Sequence, residues 1–133
     1  MKPYRLFLDD IRQPQKVSNY IYPIKLRKEF LHEWVIVRTY EEFINCIKEN
    51  GIPTHISFDH DLADIRYDYK TQKESFSYHT ETGYDAAKWL CEYLYKNDEP
   101  LPICYVHSEN VAGNQNIKKL LKSFKDGTKN RTR

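Results

Sequence analysis

The sequence predicts an α/β fold: a mostly parallel sheet of about four strands, covered by helices on both faces to form a three-layer sandwich. Short apolar, β-branched runs alternate along the chain with longer stretches of helical periodicity, which is typical of parallel sheets. Three of the apolar runs stop abruptly at polar side chains. A length of 133 residues fits one domain, and we expect it to span residues 1–124, followed by a flexible basic tail over 125–133.

The strands are predicted from hydrophobicity and from β-branched residues. The predicted strands cover residues 4–8, 34–37, 55–58 and 103–106. Helices are predicted over 83–96 and 114–124, after Thr39, and in a short form over 25–31. Thr39 with Glu42, and Thr82 with Asp85, have the spacing of capping boxes, while Gly51 suits a helix end. Residues 11–33 are otherwise expected to be irregular.

Residues 64–81 are polar with interspersed aromatic rings, and we expect a long loop there. Loops of this length in small domains are usually functional or disordered. The rings suit a lid that stacks on a nucleobase. Tyrosine rings also pack half-buried for structural reasons alone, so both interpretations stay open.

Composition excludes several classes of protein. The net charge of +2 does not indicate a dedicated nucleic-acid binder, although the basic tail could contact phosphates or be a solvated helix end. The cysteines, Cys46, Cys91 and Cys104, are odd in number and form no CxxC pair, which fits a reducing cytoplasm. We find no signal-peptide pattern and no apolar run near the roughly 18 residues of a membrane span.

Chemistry concentrates where the predicted strands end. Asp9 and Asp10 follow the first strand, the run Asp59-His60-Asp61 follows the third, and the fourth ends at His107, Ser108 and Asn110. Because ligands bind beyond the carboxyl ends of parallel strands, we expect these side chains to be neighbours. Each piece also has a plainer interpretation, as a turn, a helix cap or a hydrogen-bonded structural histidine.

Clustered carboxylates repel one another at neutral pH, so they need a cation or must stay partly protonated. Oxygen ligands suit Mg²⁺ or Mn²⁺, and we expect Asp9, Asp10, Asp59 and Asp61 to hold one or two such ions. His60 or His107 would shift the preference toward Mn²⁺, Zn²⁺ or iron, or would act as acid–base groups.

The full string of motifs resembles a known family. It includes Leu6-Phe7-Leu8-Asp9-Asp10-Ile11-Arg12, Ser57-Phe58-Asp59-His60-Asp61-Leu62, Thr82-Gly83-Tyr84-Asp85 and Val106-His107-Ser108-Glu109-Asn110. The acids resemble those of response-regulator receiver domains, and the whole is similar to the divergent cyclic-phosphate processing receiver domains of bacteria and phages. The resemblance implies a receiver-like (CheY/flavodoxin-like) sandwich, reduced here because no fifth strand with the usual lysine is found.

The resemblance implies that Asp9 and Asp10 bind metal, that Asp59 is the phosphoacceptor position, and that Ser108 is the hydroxyl residue after the fourth strand. The main hypothesis is a metal-dependent phosphoesterase acting on a cyclic nucleotide or a cyclic-phosphate RNA end. Asp59, His60 and His107 are its predicted catalytic residues. The predicted phosphate-binding residues are Arg12, Ser108, Asn110 and Asn114. The alternatives are a phosphoaspartate at Asp59, a non-catalytic module that binds a phosphorylated ligand or a partner protein, and nucleic-acid binding through the tail.

Overall fold

The computed structural model describes residues 2–62, 65–68, 73–76 and 81–128. Its strands are β1 (Arg5–Leu8), β2 (Val35–Val37), β3 (His55–Phe58), β4 (Ile65–Asp68), β5 (Lys73–Phe76) and β6 (Ile103–Val106). Its helices are α1 (Pro14–Val17), α2 (Tyr40–Asn50), α3 (Gly83–Lys96) and α4 (Val111–Gly127), with a 3-10 helix over Ile24–Leu31. Among these described helices, none is long and apolar enough to cross a membrane.

The main sheet has the order β2-β1-β3-β6, and every neighbouring pair is parallel. Its register sets Leu8 of β1 opposite Val37 of β2 and Phe58 of β3, and Phe58 opposite Val106 of β6. The strands therefore end at one level, and the polar residues that follow them meet at one edge. The predicted four-stranded α/β fold of receiver type is confirmed.

Two hydrophobic cores sandwich the sheet. Side chains alternate along β1, so Leu6 and Leu8 join a core with Phe43, Leu90 and other apolar residues of α2, α3 and α4. Phe7 points to the other face, where the second core holds Val17, Ile21, Phe30 and Trp34. The layers on both faces of the sheet fix the positions of its strand ends.

The helix starts follow the predicted caps. Thr39 accepts from the amide of Glu42, and Thr82 with Asp85 forms a complete capping box. Gly51, with φ of 88°, ends α2 in a conformation that favours glycine.

The last helix differs from the prediction at both ends. It begins at Val111 instead of residue 114, because Asn110 caps it by accepting from the amide of Gly113. It also continues past Phe124 to Gly127, so the predicted tail begins as helix, and residues 129–133 lie outside the described chain.

Two segments contain more regular structure than expected. The short helix predicted over 25–31 is present as the 3-10 helix Ile24–Leu31, whereas α1 lies in a stretch expected to be irregular. Both helices carry residues into the second core, Val17 from α1 and Phe30 from the 3-10 helix. The predicted loop over 64–81 contains an antiparallel hairpin of β4 and β5. Its apolar–polar alternation, Ile65-Arg66-Tyr67-Asp68, is a strand pattern that the high polarity concealed. The predicted lid function depends on side chains outside the described part.

Candidate functional site

Three carboxylates converge where β1 and β3 end. Asp9 and Asp10 follow β1 and Asp59 follows β3, and ligand atoms of all three lie within 4.8 Å of one another. Asp9 is fully buried and Asp59 is only 4% exposed, while Asp10 is half-buried. The parallel register brings these acids together, as the sequence predicted, although about 50 residues separate them along the chain.

Asp9 is held in place by hydrogen bonds to both of its carboxylate oxygens. Its Oδ1 accepts hydrogen bonds from the amides of Ile11 and Arg12 at 2.9 and 2.8 Å, and its Oδ2 lies 3.0 Å from Nε2 of His107. Burial alone would raise the pKa of Asp9, but the hydrogen bonds from His107, Arg12 and Ile11 lower it to about 2. Asp9 is therefore an anion with a fixed orientation.

His107 supports Asp9 from inside the protein. Its ring is stacked on Phe7 with centroids 4.5 Å apart, and its Nδ1 lies 2.6 Å from Oγ of Ser57. Burial lowers the pKa of His107, against the opposing effect of Asp9. Because the Asp9 carboxylate can only accept, the neutral ring donates from Nε2 and accepts from the Ser57 hydroxyl at Nδ1. With both nitrogens engaged and no exposed ring surface, His107 positions Asp9.

Asp59 is in the opposite electrostatic situation. Burial, followed by the negative charge of Asp9, raises the pKa of Asp59 to about 7, although a hydrogen bond with Ser108 acts to lower it. Asp10 adds to the repulsion and Arg12 reduces it. The polypeptide therefore holds Asp59 where its negative charge is poorly compensated.

Arg12 is the cation beside this group. Its guanidinium lies 3.8 Å from Asp9 and 3.4 Å from Glu109, and it stands over the ring of Tyr20 at 5.9 Å. Arg38 donates from one nitrogen to the backbone carbonyls of Asp9 and Arg12, which fixes the turn that carries both side chains. The side chain of Arg12 is 19% exposed, so it can still meet a ligand.

His60 and Asp61 form a second group beside the three carboxylates. Nδ1 of His60 lies 2.8 Å from Oδ1 of Asp61, and the Asp61 oxygens accept from Asn110 at 3.3 Å. The side chain of Asp61 is 66% exposed and is turned toward His60 and Asn110. Among the described residues, the carboxylates that converge are Asp9, Asp10 and Asp59, and the assignment of Asp61 as a fourth metal ligand stays a prediction.

Two glycines make room for this arrangement. A Cβ on Gly113 would collide with the ring of His60, so the ring lies directly against the start of α4. A Cβ on Gly83 would collide with the backbone carbonyl of Asp59, so α3 also begins in direct contact with the site. Both helix starts are thus packed against the residues that follow β3.

The remaining predicted residues lie between β6 and α4. Ser108 is buried beside Asp59, and its Oγ accepts from the amide of Asn110. Asn110 caps α4, and Asn114 donates to the carbonyl of Ser108 while its buried Oδ1 has no hydrogen-bond partner among the described residues. All three predicted residues therefore meet at this helix start.

Sequence reasoning missed several residues of the site. Ser57 lies within an apolar strand, and its two-residue offset from Asp59 was the available signal that both point to one side of the sheet. Tyr20 and Arg38 reach the site from segments whose positions depend on tertiary packing, and no local pattern identifies them. Glu109 lies within the predicted polar cluster after the fourth strand but was given no role there.

The donor set fits a hard divalent cation. Three carboxylates offer oxygen ligands only, which suits Mg²⁺ or Mn²⁺. The neutral, fully engaged ring of His107 offers no nitrogen ligand, so the predicted shift toward zinc or iron has no support from that residue. The pKa of Asp59 is raised partly because the negative charges of Asp9 and Asp10 are nearby, and a bound cation would compensate that charge.

A known protein family matches nearly the whole chain. The family model of the cyclic-phosphate processing receiver domain matches residues 4–123. No curated protein and no solved structure gives a match. The matched region contains both strand ends with their acids, His107, and the start of α4. The chain belongs to the family of cyclic-phosphate processing receiver domains.

Proposed function

We propose that this protein is a metal-dependent phosphoesterase that hydrolyses a cyclic phosphate, either in a small nucleotide or at an RNA end. The convergence of Asp9, Asp10 and Asp59 beside Arg12 is the observation that carries the proposal. A receiver-type edge with three carboxylates and an adjacent guanidinium suits a phosphate bound together with a cation.

Asp9, Asp10 and Asp59 would hold the cation, Mg²⁺ or Mn²⁺. Such an ion polarises a phosphoryl oxygen and lowers the pKa of a bound water. Asp9 contributes a fixed, charged ligand because His107 and two backbone amides hold it in place. Ser108 orients Asp59 in the same way through its hydrogen bond.

Arg12 would hold the phosphate. Its present partner Glu109 has a side chain that is 72% exposed, so a phosphate oxygen can replace that carboxylate at little cost. Ser108, Asn110 and Asn114 border the position from the start of α4, where backbone amides favour anions.

His60 would carry the proton. Asp61 binds Nδ1 of the ring and orients it, so proton transfer would use Nε2. The hydrolysis is balanced without other reactants: a water oxygen bonds to phosphorus, one cyclic ester bond breaks, and the leaving oxygen takes a proton to give a phosphomonoester. His107 becomes a positioning residue for Asp9 in this scheme.

The test is to incubate the protein with 2′,3′- and 3′,5′-cyclic nucleotides and with RNA that ends in a cyclic phosphate. Mg²⁺ or Mn²⁺ is added, and EDTA serves as the metal-free control. We expect a phosphomonoester product that requires metal and is lost with Asp59→Asn. Asp98→Asn is the matched control, because it makes the same chemical change at an exposed position after α3 with φ of 55°, which asparagine tolerates.

The outcomes separate the alternatives. Metal-dependent turnover that disappears with Asp59→Asn but survives Asp98→Asn supports hydrolysis. If a phosphomonoester forms and no phosphate is found covalently attached to the protein, water attack is supported over a phosphoaspartate at Asp59. If the protein binds a cyclic nucleotide tightly but forms no product with either metal, the protein is a binding module and not an enzyme.

A further inference from the structure

The outer edge of β6 forms the floor of a groove at the opposite side of the sheet from β2. The sheet order leaves β6 without a neighbouring strand on that side among the described residues. The groove has a volume of about 460 Å³, and its walls are α4 on one face of the sheet and the segment Ile21–Leu26 on the other. It therefore has the position that a further strand of the sheet would take.

The backbone of β6 offers hydrogen-bonding groups to this groove. The amides of Ile103 and His107 donate to carbonyls of Thr54 and Phe58, on the β3 side. Backbone groups of alternate residues point the same way, so the amides and carbonyls of Cys104 and Val106 point outward. An edge of this kind, without charge or proline within the strand, is a template for pairing with another chain.

Exposed apolar side chains lie on the floor of the groove and on one of its walls. Ile103, in the strand itself, is 55% exposed, and Tyr22, on the wall formed by Ile21–Leu26, is 73% exposed. Exposed apolar side chains along an unpaired strand favour an occupant that contributes apolar side chains of its own.

The side chains of the groove that carry charge are basic, which favours an acidic occupant. Lys118, Lys122 and Lys125 line the groove from α4, and Arg27 lies over the ring of Tyr22 at 5.2 Å on the opposite wall. None of the described lining residues is acidic. Lys122 pairs with Asp126 at 2.8 Å, but both side chains are well exposed and such pairs exchange easily.

We propose that this groove binds an extended, acidic segment of a partner protein, which adds to β6 as a fifth strand of the sheet. The outward backbone groups of Cys104 and Val106 would supply the pairing, and the lysines of α4 would select acidic side chains. A second copy of this chain is the disfavoured occupant. A twofold pairing of β6 strands would place the lysine-bearing faces of two α4 helices side by side.

The probe is a fluorescent eight-residue peptide that alternates glutamate or aspartate with valine or isoleucine. We expect it to bind in fluorescence anisotropy, and to slow hydrogen exchange at the amides of Cys104 and Val106. The amides of Ile103 and Tyr105 are protected by β3 before the peptide is added. Cys104→Pro removes one outward donor at an edge position where proline is tolerated, and Cys104→Ala is the control that keeps it.

Reversal of charge tests the lysines. We expect the combined change Lys118→Glu, Lys122→Glu and Lys125→Glu to weaken peptide binding about tenfold at low salt. The matched control reverses three lysines that lie elsewhere on α2 and α3, Lys48, Lys88 and Lys96, and should change affinity less than about twofold.

Three results would overturn the proposal. The first is no binding at millimolar peptide, and the second is binding that weakens equally with both sets of reversals. The third is self-association through β6, seen as slowed exchange at Cys104 that depends on protein concentration. Thermal unfolding of each variant shows whether it retains its fold, and the metal site beyond the strand ends does not enter any of these measurements.

Discussion

Removing the charge of Asp59 should stabilise the metal-free protein. Burial and the charge of Asp9 raise the pKa of Asp59 from an ordinary 3.8 to about 7. The folded protein therefore holds a proton on Asp59 that the unfolded chain releases between these two values. Stability is lost as the pH rises through this window, because deprotonation is harder in the folded state.

The size of the effect follows from the shift. About three pKa units at about 1.4 kcal/mol each give about 4 kcal/mol of lost stability above neutral pH. By the same relation, Asp59→Asn should stabilise the metal-free protein by about 1.5 kcal/mol near pH 5 and by about 4 kcal/mol near pH 8. The asparagine Oδ1 can still accept from Ser108, so the hydrogen bond is retained.

The assay is urea unfolding in EDTA at both pH values, with Asp98→Asn as the matched control. We expect the stabilisation by Asp59→Asn to grow by roughly 3 kcal/mol from pH 5 to pH 8, and the control to show no such growth. Saturating Mg²⁺ should reverse the ranking, because only the protein with all three carboxylates gains binding energy. A stabilisation that is independent of pH, or equal gains from Mg²⁺ in both proteins, would refute this account of the charge cluster.

Two further predictions concern the residues that hold the site. Gly113→Ala should destabilise the protein by about 1–3 kcal/mol, measured by urea unfolding, and should displace His60, seen as shifted ring resonances of that histidine. Gly127→Ala is the control: an added Cβ there meets open space, so the change should be neutral or mildly stabilising. His107→Phe keeps the stacking surface but removes the donor to Asp9, so we expect the pKa of Asp9 to rise from about 2 in an NMR titration. An unchanged titration of Asp9 would mean that the backbone amides alone set its charge.

The parts of the fold that could be predicted are those encoded by local pattern. The strand before Asp9 and the strand before Asp59 are short apolar runs that end in acid, and a parallel sheet requires those ends to meet. The helix caps Thr39 and Thr82 could be predicted for the same reason, since each cap and its partner are three residues apart.

The missed parts depend on contacts between distant residues. Ser57 and His107 are 50 residues apart, and their hydrogen bond exists because β3 and β6 are adjacent with a particular register. The second core was expected only as a layer on the other face of the sheet, and its residues were not identified, because Phe30 reaches it from a 3-10 helix without a clear apolar stripe. Asp61 follows β3 as Asp59 does, but its contacts with His60 and Asn110 depend on where α4 begins, which the sequence does not reveal.

The cations available to the carboxylates favour a metal-dependent use of the site. Arg12 divides its charge between Asp9 and the exposed Glu109, and His107 is neutral because it is buried. Among the described residues, these side chains leave Asp59 with a pKa near neutrality, so the polypeptide does not complete its own charge balance. A divalent ion would complete it, and a bound phosphate would then compensate the excess positive charge and engage Arg12. Metal and phosphate are thus expected to bind with positive cooperativity, and calorimetric titration of Mg²⁺ with and without inorganic phosphate measures that coupling directly.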